Sequence, residues 1–246
     1  MTYADETRQG NPLLHGTVAL VTGGSRGIGK AIAEKFASLG AAVSICGRDR
    51  KTLEATASAL SSAGGRVYQR IADVTKWADV EELVRNTEAQ LGRISILVNN
   101  AGIGLFGPVH EKTEEEWDRV LATNLKSVFL MSKAVVPSMI ERGGGDIINI
   151  SSLAGKNTFA GGGIYCASKW GLQGLSGCMA EDLRSHGIRV SVVCPGSVAT
   201  EFSGRGPKDA TKVLRPEDVA HAVAMLATQG TQSFISEVQL RPVKKP

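Results

Sequence analysis

The 246-residue chain is 42% hydrophobic and 21% charged, a balance that suits a globular protein of one large α/β domain or two small ones. A net charge of +4, from 28 basic and 24 acidic residues, is too mild and too evenly spread for a nucleic-acid partner, and no apolar run approaches the ~18 residues of a membrane span. Four cysteines, Cys46, Cys166, Cys178 and Cys194, form no CxxC pair and no zinc-like cluster, which points to a reducing cytoplasm and to no metal site.

Residues 1–14 are polar, lack the apolar core of a secretory signal, and are expected to form a flexible leader ahead of one domain over 15–246. Thr17–Thr22 is an apolar, partly β-branched run, as in a buried parallel strand. It leads into Gly23-Gly24-Ser25-Arg26-Gly27-Ile28-Gly29 and then a helix with Ile28, Ile32, Phe36 and Leu39 on one face, closed by Gly40. Strand, glycine turn and helix together make a phosphate cradle. Gly23 suits the tight turn, and Gly27 and Gly29 let backbone approach a pyrophosphate at the helix N-terminus. A second strand, Ala42–Cys46, ends at Gly47-Arg48, where a dinucleotide fold reads the adenosine ribose. The absence of a carboxylate at Gly47, with the Arg48 cation next to it, suits the 2′-phosphate of NADP(H); Arg26 is a second candidate. The bland alternative makes Arg48 a solvated loop residue. Asp49 is one position late for a ribose contact and reads as a helix cap.

A helix over 50–63 is broken by Gly64-Gly65, and a third strand over 66–71 ends at Asp73-Val74. Asp73 lies at the ligand edge of an open sheet or caps the next helix, over 76–91. The fourth strand, Ile94–Val98, ends in Asn99-Asn100-Ala101-Gly102. A long helix over 113–139 opens with a Thr113–Glu116 capping box and carries too many apolar residues for one stripe, which implies burial against the sheet and a second subunit. Asn124 within it is either solvent-exposed or held for a specific role. The fifth strand, Asp146–Ile150, delivers Ser151-Ser152, and a helix from about 162 carries Tyr165 and Lys169. The sixth strand, Arg189–Cys194, ends at Pro195-Gly196, a glycine-rich stretch over 203–212 reads as a mobile flap, and a helix over 216–227 precedes a last strand over 233–240. The alternation implies one doubly wound, seven-stranded parallel sheet with helices on both faces, and it sets nearly every polar motif at one crevice.

Tyr165 and Lys169 are four residues apart, so a helix stacks them on one face. A phenol titrates near ~10, and an adjacent ammonium is expected to lower that value, making a proton donor or acceptor for a carbonyl or alcohol. A Ser152 hydroxyl reaching the same oxygen would hold it in place.

With Thr22-Gly23-x-x-x-Gly27-Ile28-Gly29, Asn99-Asn100-Ala101-Gly102, Ser152, Tyr165-x-x-x-Lys169 and Pro195-Gly196 in order, the chain resembles the classical branch of the short-chain dehydrogenase/reductase family, in the style of bacterial 3-oxoacyl-[acyl-carrier-protein] reductases. The match spans about residues 14–240. The resemblance implies Tyr165 as acid/base, and Lys169 lowering its pKa and holding the nicotinamide ribose. It implies Ser152 polarising the carbonyl and Asn124 anchoring a water-linked relay. Asp73 and Val74 would line the adenine site, Asn100 the centre of the cofactor, and Val198 and Thr200 the nicotinamide amide. Ser25, Ile28, Ala101, Gly102, Pro195 and Gly196 join the same cofactor site. The implied reaction is reversible hydride transfer between NADP(H) and a small-molecule carbonyl, with a substrate carried on acyl carrier protein as a finer version. The alternatives are an NAD-linked dehydrogenase of a sugar, steroid or hydroxy acid, and a non-catalytic dinucleotide sensor. A homo-oligomer, tetramer or dimer, is expected, although the ending Leu240-Arg241-Pro242 departs from the family's Asp-Gly-Gly tail. Substrate choice falls to side chains near Leu153, Phe159, Gly196 and the 201–212 segment.

Overall fold

A computed structural model describes residues 13–203 and 209–244; most of the expected leader and the centre of the expected flap lie outside the described residues. The strands are β1 (Val18–Thr22), β2 (Ala42–Gly47), β3 (Val67–Ile71), β4 (Ile96–Asn99), β5 (Gly145–Ile150), β6 (Ile188–Pro195) and β7 (Glu237–Leu240). They form one parallel sheet in the order β3-β2-β1-β4-β5-β6-β7. The helices are α1 (Gly27–Ser38), α2 (Arg50–Ser62), α3 (Trp77–Leu91), α4 (Glu114–Leu121), α5 (Ser127–Arg142), α6 (Gly163–Leu183) and α7 (Pro216–Ala227).

Both faces of the sheet are covered, which is why its central strands are apolar at consecutive positions. Along β1, Ala19 and Val21 point into the core beneath α1, α2 and α7, while Val18 and Leu20 point into the core beneath α3, α5 and α6. Ile32 and Phe36 of α1 are fully buried in the first core. Gly40, at φ +89°, ends that helix by donating to the Ala37 carbonyl. Asp49 caps α2 by accepting from the Thr52 N–H at 2.8 Å.

Most boundaries move by one or two residues from the sequence reading, and two elements depart further. The expected 113–139 helix is interrupted: Thr113 and Glu116 make the capping box, but a π turn at Ala122–Lys126 separates α4 from α5. That turn holds Asn124. The last strand is also shorter than expected. The Ile235 N–H goes to the Gln229 side chain at 2.8 Å, which diverts the chain from the ladder until Glu237.

Strand order reverses between β1 and β4, so their C-terminal ends open a crevice. Its two lips are tied: Asn100 Nδ2 donates to the Thr22 carbonyl at 2.9 Å and to the Gly23 carbonyl at 3.2 Å, and the Asn100 and Ala101 N–H groups donate to Thr22 Oγ1.

Candidate active site

The first wall of the crevice is the β1–α1 turn. Gly23 and Gly27 sit at φ +65° and +53°, where a side chain is strained. At Gly29 a Cβ would lie 2.2 Å from the Gly23 carbonyl oxygen and 2.4 Å from Asn100 Nδ2, so the missing side chain is what lets the turn close against Asn100. At the start of α1, Arg26 occupies the cap position with no side-chain cap bond, and the first turn holds no acidic residue. The leading N–H groups and the helix dipole therefore face the crevice uncompensated by side chains, a ready anion site. Thr200 faces it from the β6 side, its Cγ2 3.3 Å from where a Gly27 Cβ would be.

Ser25 lies against the β2 tip, its Oγ 3.1 Å from the position of a Gly47 Cβ. Arg26 pairs with Glu201 at 3.3 Å, but both side chains are mostly exposed and such a pair is weak. Arg48 lies near enough to Asp73 for its charge to act on that carboxyl. Asp73 does not cap α3, whose cap position is Lys76. Its carboxylate instead accepts from the Thr75 N–H and hydroxyl at 3.1 and 2.8 Å. Burial raises its pKa, but the Thr75 bonds and the Arg48 charge outweigh that, and the net direction is down. Val74 is buried in the core under α3. Ile28 and Val198 are half-buried against the other core, and Ala101 against the core that holds Val74. Pro195 pairs with Leu240, and the Gly196 N–H donates to the Leu240 carbonyl at 2.8 Å.

The second wall carries the titratable groups. Tyr165 and Lys169 share one face of α6 and are both buried. The Ser152 hydroxyl, just past β5, lies near enough to the Tyr165 phenol to favour its ionised form, and it accepts from the Ala154 N–H at 3.1 Å. Lys169 Nζ donates to the Ile150 carbonyl at 2.9 Å and lies 5.8 Å from the Tyr165 ring centroid. The expectation that the ammonium lowers the phenol's pKa is corrected here. Burial pushes the Tyr165 phenol up to about 12, against the effect of Ser152, and pushes Lys169 down to about 8. Desolvation, which disfavours the charged form of each group, is the largest cause of both shifts.

Asn124 is buried at 1% exposure, which removes the solvent-exposed alternative. It bonds Ile103 and also donates to Ser168 Oγ at 3.0 Å. Gly102 lies between Asn124 and Lys169: a Cβ there would be 3.3 Å from Asn124 Oδ1 and 3.9 Å from Lys169 Nζ. Two supporting residues were missed by the sequence reading. Ser168 donates to the Tyr165 carbonyl at 2.7 Å, and Gln173 donates to Ser151 Oγ at 3.0 Å. Ser168 and Gln173 sit three and four residues past Tyr165 and Lys169, and that helical spacing was the available signal. Among the described residues no cluster of His, Cys, Asp or Glu could hold a metal ion, and no helix is long and apolar enough to cross a membrane.

A family profile described as short chain dehydrogenase matches residues 17–210. A metagenomic short-chain oxidoreductase solved in complex with NADP is 47% identical, with a TM-score of 0.84 over 94% of this chain and 99% of that one. An alcohol dehydrogenase from the archaeon Thermococcus sibiricus, complexed with 5-hydroxy-NADP, has a TM-score of 0.88 at 32% identity, covering 94% of this chain and 98% of that one. The NADP-dependent 3-hydroxy acid dehydrogenase of Salmonella typhimurium is 37% identical over 238 residues, 92% of this chain and 95% of that protein.

Proposed function

The chain belongs to the short-chain dehydrogenase family of oxidoreductases, and on that premise we propose that it is an NADP(H)-dependent reductase converting a small-molecule carbonyl to a secondary alcohol, reversibly. One observation carries the reading: the Tyr165 phenol, with Ser152 acting on it, stands over a buried Lys169 whose Nζ is 5.8 Å from the Tyr165 ring centroid, and the first turn of α1 has no side-chain cap. The donor set fits the dinucleotide. The α1 N-terminus takes the pyrophosphate. Arg48 at the Gly47 tip takes the 2′-phosphate, with Arg26 secondary. Asp73 and Val74 border the adenine, and Val198, Thr200, Tyr165 and Lys169 border the nicotinamide riboside.

Bound NADPH supplies the hydride for the carbonyl carbon. Ser152 donates a hydrogen bond to the carbonyl oxygen and fixes it beside the phenol. Tyr165, neutral at working pH because burial raises its pKa, gives that oxygen its proton as charge develops there. Lys169, charged below about pH 8, stabilises the phenolate left behind until water reprotonates it. Asn124 holds the β4 loop against α6 and places the relay that returns the proton.

The relatives above are named for alcohols and 3-hydroxy acids, so a free small-molecule carbonyl stands ahead of a 3-oxoacyl group on acyl carrier protein. Half-exposed Trp117, Phe129 and Trp170 on α4, α5 and α6 support a homo-oligomer. Cys46, Cys166, Cys178 and Cys194 are all free thiols, in keeping with the cytoplasm. The test is oxidation of NADPH and of NADH by the purified protein with 2,3-butanedione. Turnover with NADPH is expected; tight NADPH binding without turnover would make the protein a sensor instead.

A further inference from the structure

Three phenylalanines from three separate connections form one group with Tyr165, two of them against its ring and the third against Phe106. Phe106 follows β4, Phe159 follows β5 and Phe202 follows β6. Phe106 meets the Tyr165 ring edge-on, with centroids 5.4 Å apart, and Phe202 does the same at 5.8 Å. Phe159 extends the group, 6.0 Å from Phe106. The floor is glycine. A Cβ on Gly104 would lie 2.7 Å from the Phe106 ring and 2.8 Å from the Phe202 ring, and one on Gly162 would lie 2.7 Å from the Phe159 ring. Gly107 and Gly161 join two of the connections through an N–H to carbonyl bond of 2.9 Å. The rings therefore pack onto bare backbone, and the connections are built to hold them there.

We infer that this aromatic wall selects an uncharged aryl ketone or aldehyde, a statement of substrate class that rests on the reductase reading above. The carbonyl must reach the Ser152 and Tyr165 hydroxyls, so its substituents lie against the phenylalanines beside them. Ring edges and faces at these spacings favour an aromatic substituent over an alkyl one of similar size. The nearby lysines offer little to an anionic substrate: Lys112 is paired with Glu116 at 3.1 Å and Lys156 with Glu237 at 2.5 Å. Arg26 is likewise paired, at 3.3 Å, with Glu201, next to Phe202.

The experiment compares kcat/KM with NADPH for acetophenone, 2-butanone and acetoacetate, in the wild type and in Phe159→Ala and Phe202→Ala. Both side chains are nearly half-exposed, at 49% and 43%, so neither truncation empties a core. Binding of NADPH, followed by its fluorescence, reports whether each variant keeps its fold. The expected wild-type order puts acetophenone about tenfold or more above 2-butanone, with acetoacetate lowest. Each alanine should lower the acetophenone to 2-butanone ratio by about three- to tenfold, mainly through KM. A wild-type ratio near one, a preference for acetoacetate, or a ratio unmoved in both variants would overturn the aryl assignment alone. Absence of turnover with every carbonyl, 2,3-butanedione included, would overturn the reductase reading and this assignment with it.

Discussion

The side-chain amide of Asn124 holds both main-chain polar groups of Ile103, accepting from its N–H at 2.8 Å and donating to its carbonyl at 2.9 Å. The loop after β4 is thereby fastened to the π turn between α4 and α5, and through Ser168 to the helix that carries Tyr165. Asn124→Asp can keep the first bond, but it loses the second and sets a carboxylate against a carbonyl. It should cost about 1–3 kcal/mol, a fall of roughly 2–10 °C in Tm, and lower kcat at least about tenfold. Thermal melts and steady-state rates matching the wild type would contradict the clamp.

Tyr165→Phe removes the proton donor and little else, because the ring keeps its contacts with Phe106 and Phe202. We expect kcat to fall by about 10²–10⁴-fold with NADPH affinity nearly unchanged. Retention of more than about a tenth of wild-type turnover would assign proton donation elsewhere.

Lys169 makes stability depend on pH in a definite direction. Burial lowers its pKa from the ordinary 10.5 to about 8. Below the lower value both folded and unfolded chains carry the proton, and the native state bears the full cost of a buried charge. Between the two values the unfolded chain still holds a proton that the native chain has released, so rising pH favours the native state. Lys169→Met lacks this dependence. The stability of wild type relative to Lys169→Met should therefore rise between about pH 7 and pH 10, by at most about 3 kcal/mol. Denaturant titrations showing a flat or falling difference would rule out a depressed lysine.

Cofactor choice should reside at the β2 tip. A charge-assisted contact from Arg48 to the 2′-phosphate is worth about 1.5–3 kcal/mol, or roughly ten- to hundredfold for NADPH over NADH. Gly47→Asp with Arg48→Ser should invert that ratio, since the new carboxylate repels the phosphate and accepts from a ribose hydroxyl. The Gly47 site sits beside Ser25 Oγ, so room for the aspartate depends on a rotation of that hydroxyl. Equal wild-type kcat/KM values, or a ratio unmoved in the double variant, would place the phosphate elsewhere.

Trp117, Phe129 and Trp170 stay 44–50% exposed in the isolated chain. Covering such rings is favourable, and a second copy presenting the same face would do it with closed symmetry. Sedimentation at micromolar concentration should show a dimer or tetramer for the wild type and a shift toward monomer for Trp170→Glu. A monomeric wild type would end this reading.

The amino-acid sequence alone settled what depends on neighbours along the chain. The strand, glycine turn and helix over 18–38 are written in contiguous residues, as are the Thr113–Glu116 capping box, the Asp49 cap and the span of α7. The four-residue spacing of Tyr165 and Lys169 likewise set them on one helical face. Tertiary structure decided everything that turns on burial or on contacts across the sheet. The pKa of Tyr165 moves opposite to the direction that spacing suggests, because its largest cause is a desolvation that only packing sets. Gly29 admits Asn100, seventy-one positions away, and Asn124, within the π turn, holds Ile103, twenty-one positions before it. Phe106, Phe159 and Phe202 are far apart in sequence, in loops with no periodicity to mark them. They meet because parallel strands deliver all their C-terminal connections to the same edge.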